Sequence, residues 1–162
     1  MIPSIIVDNF FEEPDKVVEF ANSLEHNVLQ NNYPGARTER LSDEFSDKFA
    51  EKVFSNFPFT VNSYDLHLSF HKIPDKFHSG FVHVDTPNQL TVIVYLNEED
   101  NTGTSLYSFI GDHYKILKTL DVKNVYNRAF IFDASTPHCA NGFSGDERLT
   151  LIGFFKDIKI SI

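Results

Sequence analysis

The chain has 162 residues, 41% of them hydrophobic, with seventeen phenylalanines and no tryptophan. That length suits one domain, which buries roughly 70% of the surface its unfolded form exposes and so builds a core without covalent staples. A formal net charge of −9 with no Lys/Arg run speaks against nucleic acid as a partner, and a single cysteine, Cys139, excludes an internal disulfide.

The N-terminus "MIPSIIVDNFFEEPDK" has neither a basic n-region nor a long apolar stretch, and nothing approaches the ~20 apolar residues of a membrane span. The expectation is a soluble cytoplasmic protein with no membrane partner. The first third reads as helical. "EEPDKVVEFANSLEH" places Val17, Phe20, Ala21 and Leu24 on one face, with Pro14 and Asp15 suited to a helix start. "SDEFSDKFAEKVFSNF" repeats the pattern with Phe45, Phe49, Val53 and Phe54, and Ser42 or Asp43 can cap it. Between them "NNYPGARTERL" reads as a turn-rich loop around Pro34 and Gly35.

After Phe57 the pattern changes to alternating or continuous apolar runs rich in β-branched and aromatic residues. The candidate strands are "FTVNSYDLHLSFHKI", "QLTVIVYL", "TSLYSFI", "NRAFIFDA" and "RLTLIGFFKDI", separated by the turns "PDKFHSG", "NEEDNTG" and "NGFSGDE". "YKILKTLDVKNVY" suits either a strand or a short helix. The fold class is α+β and mainly β: helices at about 1–57 packed outside an antiparallel sandwich or barrel at about 58–162, all in one domain.

Chemistry concentrates in "GFVHVDTPNQLTVIVYL". Residues i and i+2 of an extended segment share a face, so His83 and Asp85 project together. His138, in "DASTPHCANGF" just past a strand, can supply a third ligand. Two histidines and one carboxylate form the facial triad of non-haem Fe(II) oxygenases, which leaves metal positions open. Arg148 and Thr150 are again i and i+2, and Ile152 and Phe154 continue their face. An arginine turned into an apolar interior is costly unless it meets an anion, and a carboxylate taken up bidentately satisfies it.

These residues resemble, in order, the Fe(II)/2-oxoglutarate-dependent dioxygenases, closest to the prolyl-hydroxylase-like branch. "HVD" at 83–85 resembles the family's HxD, "TVIVYLNEED" and "TGTSLYSF" its central strands, "YNRAFIFDASTPH" the strand and loop that deliver the distal histidine, and "RLT" its arginine-x-Ser/Thr clamp. The likeness spans roughly residues 60–156. It implies a double-stranded β-helix (jelly-roll, cupin-like) core in which His83, Asp85 and His138 hold Fe(II). It also implies that Arg148, assisted by Thr150, binds the distal carboxylate of 2-oxoglutarate, with the Tyr95 hydroxyl on that same carboxylate. The implied reaction consumes O₂, with ascorbate as a reductant, releases succinate and CO₂, and hydroxylates a C–H bond of a substrate. A further co-substrate contact before the HxD falls among Phe70, His71 and Lys72. The family's double glycine is reduced here to Thr102-Gly103.

Blander readings stand beside these. A cupin-type metalloenzyme uses the same triad without 2-oxoglutarate, and a non-catalytic jelly-roll uses it to bind a metal or ligand. The H-x-x-x-H of His67 and His71 lacks the glutamate of a zinc motif and lies on a strand, with His71 placed near the mouth of the site. His26, His78 and His113 read as surface or loop residues, Cys139 as a buried thiol, and Arg128 as the partner of a carboxylate near its strand. "YPGARTERL" carries half of the arginines, and Arg37 there reads as a grip on an acidic or carboxylate-bearing substrate, against a solvated helix connection. The primary substrate itself, a small molecule or a peptidyl side chain, is not legible.

Overall fold

The computed structural model describes residues 2–30, 33–74, 77–98, 103–111, 115–143 and 147–161. His113, the side chain of His78 and residues 75–76, 99–102 and 144–146 of the three expected turns lie outside the described residues. Two helices, α1 (Pro14–Ser23) and α2 (Asp43–Phe54), accompany eleven strands among the described residues. These are β1 (Ile5–Val7), β2 (Val28–Gln30), β3 (Tyr33–Arg37), β4 (Thr60–Pro74), β5 (Phe77–Ser79), β6 (Leu90–Tyr95), β7 (Gly103–Ile110), β8 (Lys115–Lys123), β9 (Arg128–Asp133), β10 (His138–Phe143) and β11 (Glu147–Ser161). Every pairing is antiparallel. A seven-stranded sheet runs β1-β9-β6-β11-β4-β3-β2 and a four-stranded sheet runs β5-β10-β7-β8.

Alternation along the central strands separates two environments. One face of the large sheet carries Leu66, Leu68, Phe70, Val92, Val94, Ile131, Leu149, Leu151 and Phe155, which pack with Ala21, Phe49, Ala50 and Val53 of the helices. Each such buried ring or branched chain contributes roughly 1.5–3 kcal/mol. Gly153 belongs to this face; a Cβ there would stand 3.0 Å from the Phe49 ring, so the missing side chain is what lets α2 sit down on β11. The opposite face carries Ile93, Tyr95, Phe130 and Phe132, which meet Leu106 and Val122 of the small sheet. Strand β6 is thus covered on both sides, which explains why "TVIVYL" is a nearly continuous apolar run.

The first third departs from the helical expectation, because β1, β2 and β3 join the large sheet. Pro34 and Gly35 sit inside β3 rather than in a loop. The β2–β3 register shifts between Leu29 and Gln30, and Gly35 takes φ +82° where a Cβ would lie 2.0 Å from the Lys72 carbonyl oxygen. This is a bulged strand paired closely alongside β4, a place that favours these two residues. The expected turn "PDKFHSG" contains β5, and the segment after His138 forms β10, which pairs with both β5 and β7. "YKILKTLDVKNVY" resolves as the edge strand β8. Among the described residues, no helix is long and apolar enough to cross a membrane.

Candidate functional site

His83 and Asp85 lie on an extended segment between β5 and β6, tied by backbone bonds to the strands that carry the third residue. His83 and His138 exchange both of their backbone bonds at 2.9 Å, and the Asp85 N–H donates to the Ala134 carbonyl at 2.8 Å. The side chains then converge. Nε2 of His83 is 3.5 Å from Asp85 Oδ1 and Nε2 of His138 is 3.2 Å from Asp85 Oδ2. One donor atom from each of the three lies within 4.8 Å of the others. Neighbouring donors around one ion at bond lengths of ~2.1 Å stand ~3 Å apart, so this donor set fits a metal.

The outer contacts fix the donors. Nδ1 of His83 donates to the Phe81 carbonyl and Nδ1 of His138 to the Thr136 carbonyl, each at 2.9 Å, which leaves both Nε2 lone pairs for the cluster. Burial works against the charge of Asp85, but contact with His138 and the hydrogen bond from Thr91 Oγ1 (2.7 Å) hold its carboxyl below the usual range. His83 is pushed down, chiefly by burial, so its ring is available as a neutral ligand. Thr91→Val keeps the shape and removes only the hydroxyl that orients Asp85. It is expected to weaken Fe(II) binding about 10–100-fold, read by anaerobic titration, with the melting temperature little changed.

The cluster opens on a cavity between the sheets, lined by Tyr33, Arg37, Ile93, Thr104, Arg148 and Phe154 among others. Arg148 is 2% exposed and lies over the Tyr95 ring, 5.7 Å from its centroid, while its Nε and one Nη have no hydrogen-bond partner. The Thr150 hydroxyl is likewise buried and unpartnered. The structure therefore brings His83, Asp85, His138, Arg148 and Arg37 to one cavity. The Tyr95 hydroxyl does not line it. That hydroxyl donates across the sheets to Thr104 Oγ1 at 2.8 Å, and only the Tyr95 ring supports Arg148.

His71, expected near the mouth, is instead 1% exposed, because β3 covers it. Its Nε2 meets the Pro34 carbonyl at 2.9 Å and its ring packs on Tyr33. Burial first, then the Arg37 cation, push its pKa down to about 3. The folded ring stays neutral where the unfolded one takes up a proton. Its contribution to stability is whole above about pH 6.5 and declines as pH falls toward 3, by ~1.4 kcal/mol per unit well inside that window. Between pH 6.5 and 5.5, His71→Gln is expected to lose about 1 kcal/mol less than the wild type in urea unfolding. Equal losses would mean that the folded ring takes up the proton.

Of the other candidates, Arg128 pairs with Asp8, Cys139 is buried beside Tyr107, and His67 sits on β4 away from the cluster. Sequence reasoning missed Tyr33, Thr91 and Thr104. A Thr six residues after the aspartate, on the cavity face of β6, is the one signal that alternation offered.

The fold is shared with known oxygenases. A prolyl hydroxylase from Trichoplax adhaerens, solved with a hypoxia inducible factor peptide fragment, superposes with a TM-score of 0.64 at 16% identity, over 95% of this chain and 83% of that one. A Pseudomonas putida prolyl-4-hydroxylase gives 0.62 at 17%, over 94% and 91%. A non-heme alpha-ketoglutarate-dependent epimerase of nogalamycin biosynthesis gives 0.66 at 15%, over 95% and 77%. At these identities the likeness is one of fold: a jelly-roll of the 2-oxoglutarate/Fe(II) oxygenase kind. No curated protein matches the sequence. Residues 2–120, which include His83 and Asp85 but end before His138 and Arg148, match the model described as "Family of unknown function (DUF6445)", and the chain belongs to that family.

Proposed function

We propose that the whole chain is one Fe(II)- and 2-oxoglutarate-dependent dioxygenase domain that hydroxylates a C–H bond of its substrate. The observation that carries this reading is the meeting, in one cavity, of a two-histidine, one-carboxylate cluster with a buried guanidinium that lacks an anion. A structural metal site has no use for Arg148, and an arginine used only for packing would be expected to have its donors satisfied.

In this reading His83, Asp85 and His138 would hold the iron, at the point where the cluster opens on the cavity. Arg148 binds the distal carboxylate of 2-oxoglutarate, the Thr150 hydroxyl assists, and the Tyr95 ring holds the guanidinium in place. When bound, Fe(II) and 2-oxoglutarate supply the oxidation: O₂ delivers one atom to succinate as CO₂ leaves and the other to the substrate C–H bond. The apolar wall of Ile93, Ile152 and Phe154 keeps water from the site. The similar folds include prolyl hydroxylases and an epimerase, so fold alone sets neither substrate nor outcome.

The test is 2-oxoglutarate titrated into the anaerobic Fe(II) protein, followed by succinate release in air with ascorbate. A metal-to-ligand charge-transfer band and succinate formation are expected. Iron binding with neither response would replace the dioxygenase by a metal- or ligand-binding jelly-roll.

A further inference from the structure

The cavity holds a second cation that the reading above does not use. Of the four arginines, Arg128 grips Asp8 through two bonds of 2.6 and 3.0 Å, and Arg40 lies 3.5 Å from Asp65. Arg37 lines the cavity, yet no carboxylate lies within salt-bridge distance of it among the described residues. Its Nε is buried, and none of its guanidinium nitrogens makes a hydrogen bond among the described residues. Asp85 is the sole carboxylate among the lining residues, and it belongs to the metal cluster.

Arg37 and Arg148 sit at different depths. Arg148 lies over Tyr95, which is opposite Thr150 in the β6–β11 register. Arg37 lies over Phe154, 5.3 Å from its ring centroid, and Phe154 is opposite Thr91. Thr150 and Phe154 are four residues apart on one strand, about 13 Å at ~3.3 Å per residue. Thr91 is the residue whose hydroxyl holds Asp85. The Arg37 backbone pairs opposite His71, in the row of Thr150, but its side chain runs along the sheet to Phe154, so its guanidinium lies on the metal-cluster side and that of Arg148 lies farther in. Beside it Tyr33, also on β3, stands 5.8 Å from the His83 ring.

A single deep cation suffices for the far carboxylate of the co-substrate. A second one on the metal-cluster side faces the place where the group to be oxidised must sit. Stacking on Phe154 fixes the plane of the guanidinium, and a planar fork matches a carboxylate bidentately. In a protein of net charge −9, an anion needs such a local cation to enter. We propose that Arg37 binds a carboxylate of the primary substrate, which makes the substrate class carboxylate-bearing molecules. This rests on the dioxygenase reading for the word substrate, while the binding site itself does not.

The test uses Zn(II)-loaded protein, with and without saturating 2-oxoglutarate. The probes are the straight-chain acids from acetate to hexanoate and the N-acetylated amino acids, each beside its own primary amide. Binding is read by ligand-observed NMR and by melting shift. At least one acid is expected to bind tenfold or more tightly than its amide. Arg37→Gln should abolish that preference, Arg37→Lys should retain part of it, and circular dichroism should show both variants folded. The 2-oxoglutarate affinity of Arg37→Gln should stay within threefold of wild type. Three results would each overturn the proposal: no acid bound by the wild type, a preference that survives Arg37→Gln, or a tenfold loss of 2-oxoglutarate affinity in that variant. The last would assign Arg37 to the co-substrate. Failure of the dioxygenase reading shows separately, as the missing charge-transfer band in the wild type, and leaves the acid-against-amide comparison intact.

Discussion

Asp85→Ala is expected to abolish succinate formation from 2-oxoglutarate and to weaken Fe(II) binding by more than ~100-fold, beyond what loss of a supporting contact costs. Asp85 supplies the only negative charge among the lining residues of the cavity, and both histidine Nε2 atoms point at it. Without it, two imidazoles remain to hold a dication. The fold should survive. The segment is anchored by backbone bonds, from the Asp85 N–H to Ala134 and between His83 and His138, which the substitution leaves in place. Removing a carboxylate whose charge burial opposes offsets part of the lost Thr91 bond. Iron titration, succinate assay and thermal melting on the same preparation separate these effects. Wild-type iron affinity in the variant would place the metal elsewhere. A collapsed melting transition would make the residue structural.

The parts of the site that follow strand alternation were legible in advance. His83 and Asp85 share a face because of their i, i+2 spacing, and Arg148, Ile152 and Phe154 line one wall for the same reason. The continuous run of β6 also announced a strand covered on both faces. What alternation cannot report is a partner supplied by another element. The Tyr95 hydroxyl is taken by Thr104, from the opposite sheet, which no spacing along β6 reveals. His71 lies within a readable strand, but its burial comes from the neighbouring strand β3, whose Pro34 carbonyl and Tyr33 ring close over the imidazole. Strand β3 was itself hidden, since Pro34 and Gly35 are turn residues in most contexts and here make a bulge. Arg37, assigned to a loop by that reading, is held on strand β3 opposite His71, and its side chain reaches along the cavity wall to Phe154.

Arg148→Met is expected to produce opposite effects on stability and on function. Arg148 is 2% exposed, with two guanidinium nitrogens lacking any partner, so in the ligand-free protein it is a desolvated charge that the Tyr95 ring compensates only in part. Methionine has a comparable length and no charge to bury. The ligand-free variant should be more stable than the wild type by about 1–4 kcal/mol, a rise of several degrees at ~2–4 °C per kcal/mol for a chain of this size. Adding metal and 2-oxoglutarate should reverse the order. At one thousand times its dissociation constant a ligand stabilises by ~4.1 kcal/mol. The wild type gains that term, while the variant has lost the charged contact on which it depends. Losing a buried charge-assisted contact typically costs about 2–5 kcal/mol, which corresponds to a ~30- to several-thousand-fold fall in 2-oxoglutarate affinity. Melting curves of both proteins, with and without the ligands, read all four states. A variant that is less stable in every state, yet still binds 2-oxoglutarate normally, would show that Arg148 is satisfied within the fold and that the anion pocket lies elsewhere. Crossing curves would show that the chain carries a folded-state cost at Arg148 that only a bound carboxylate relieves.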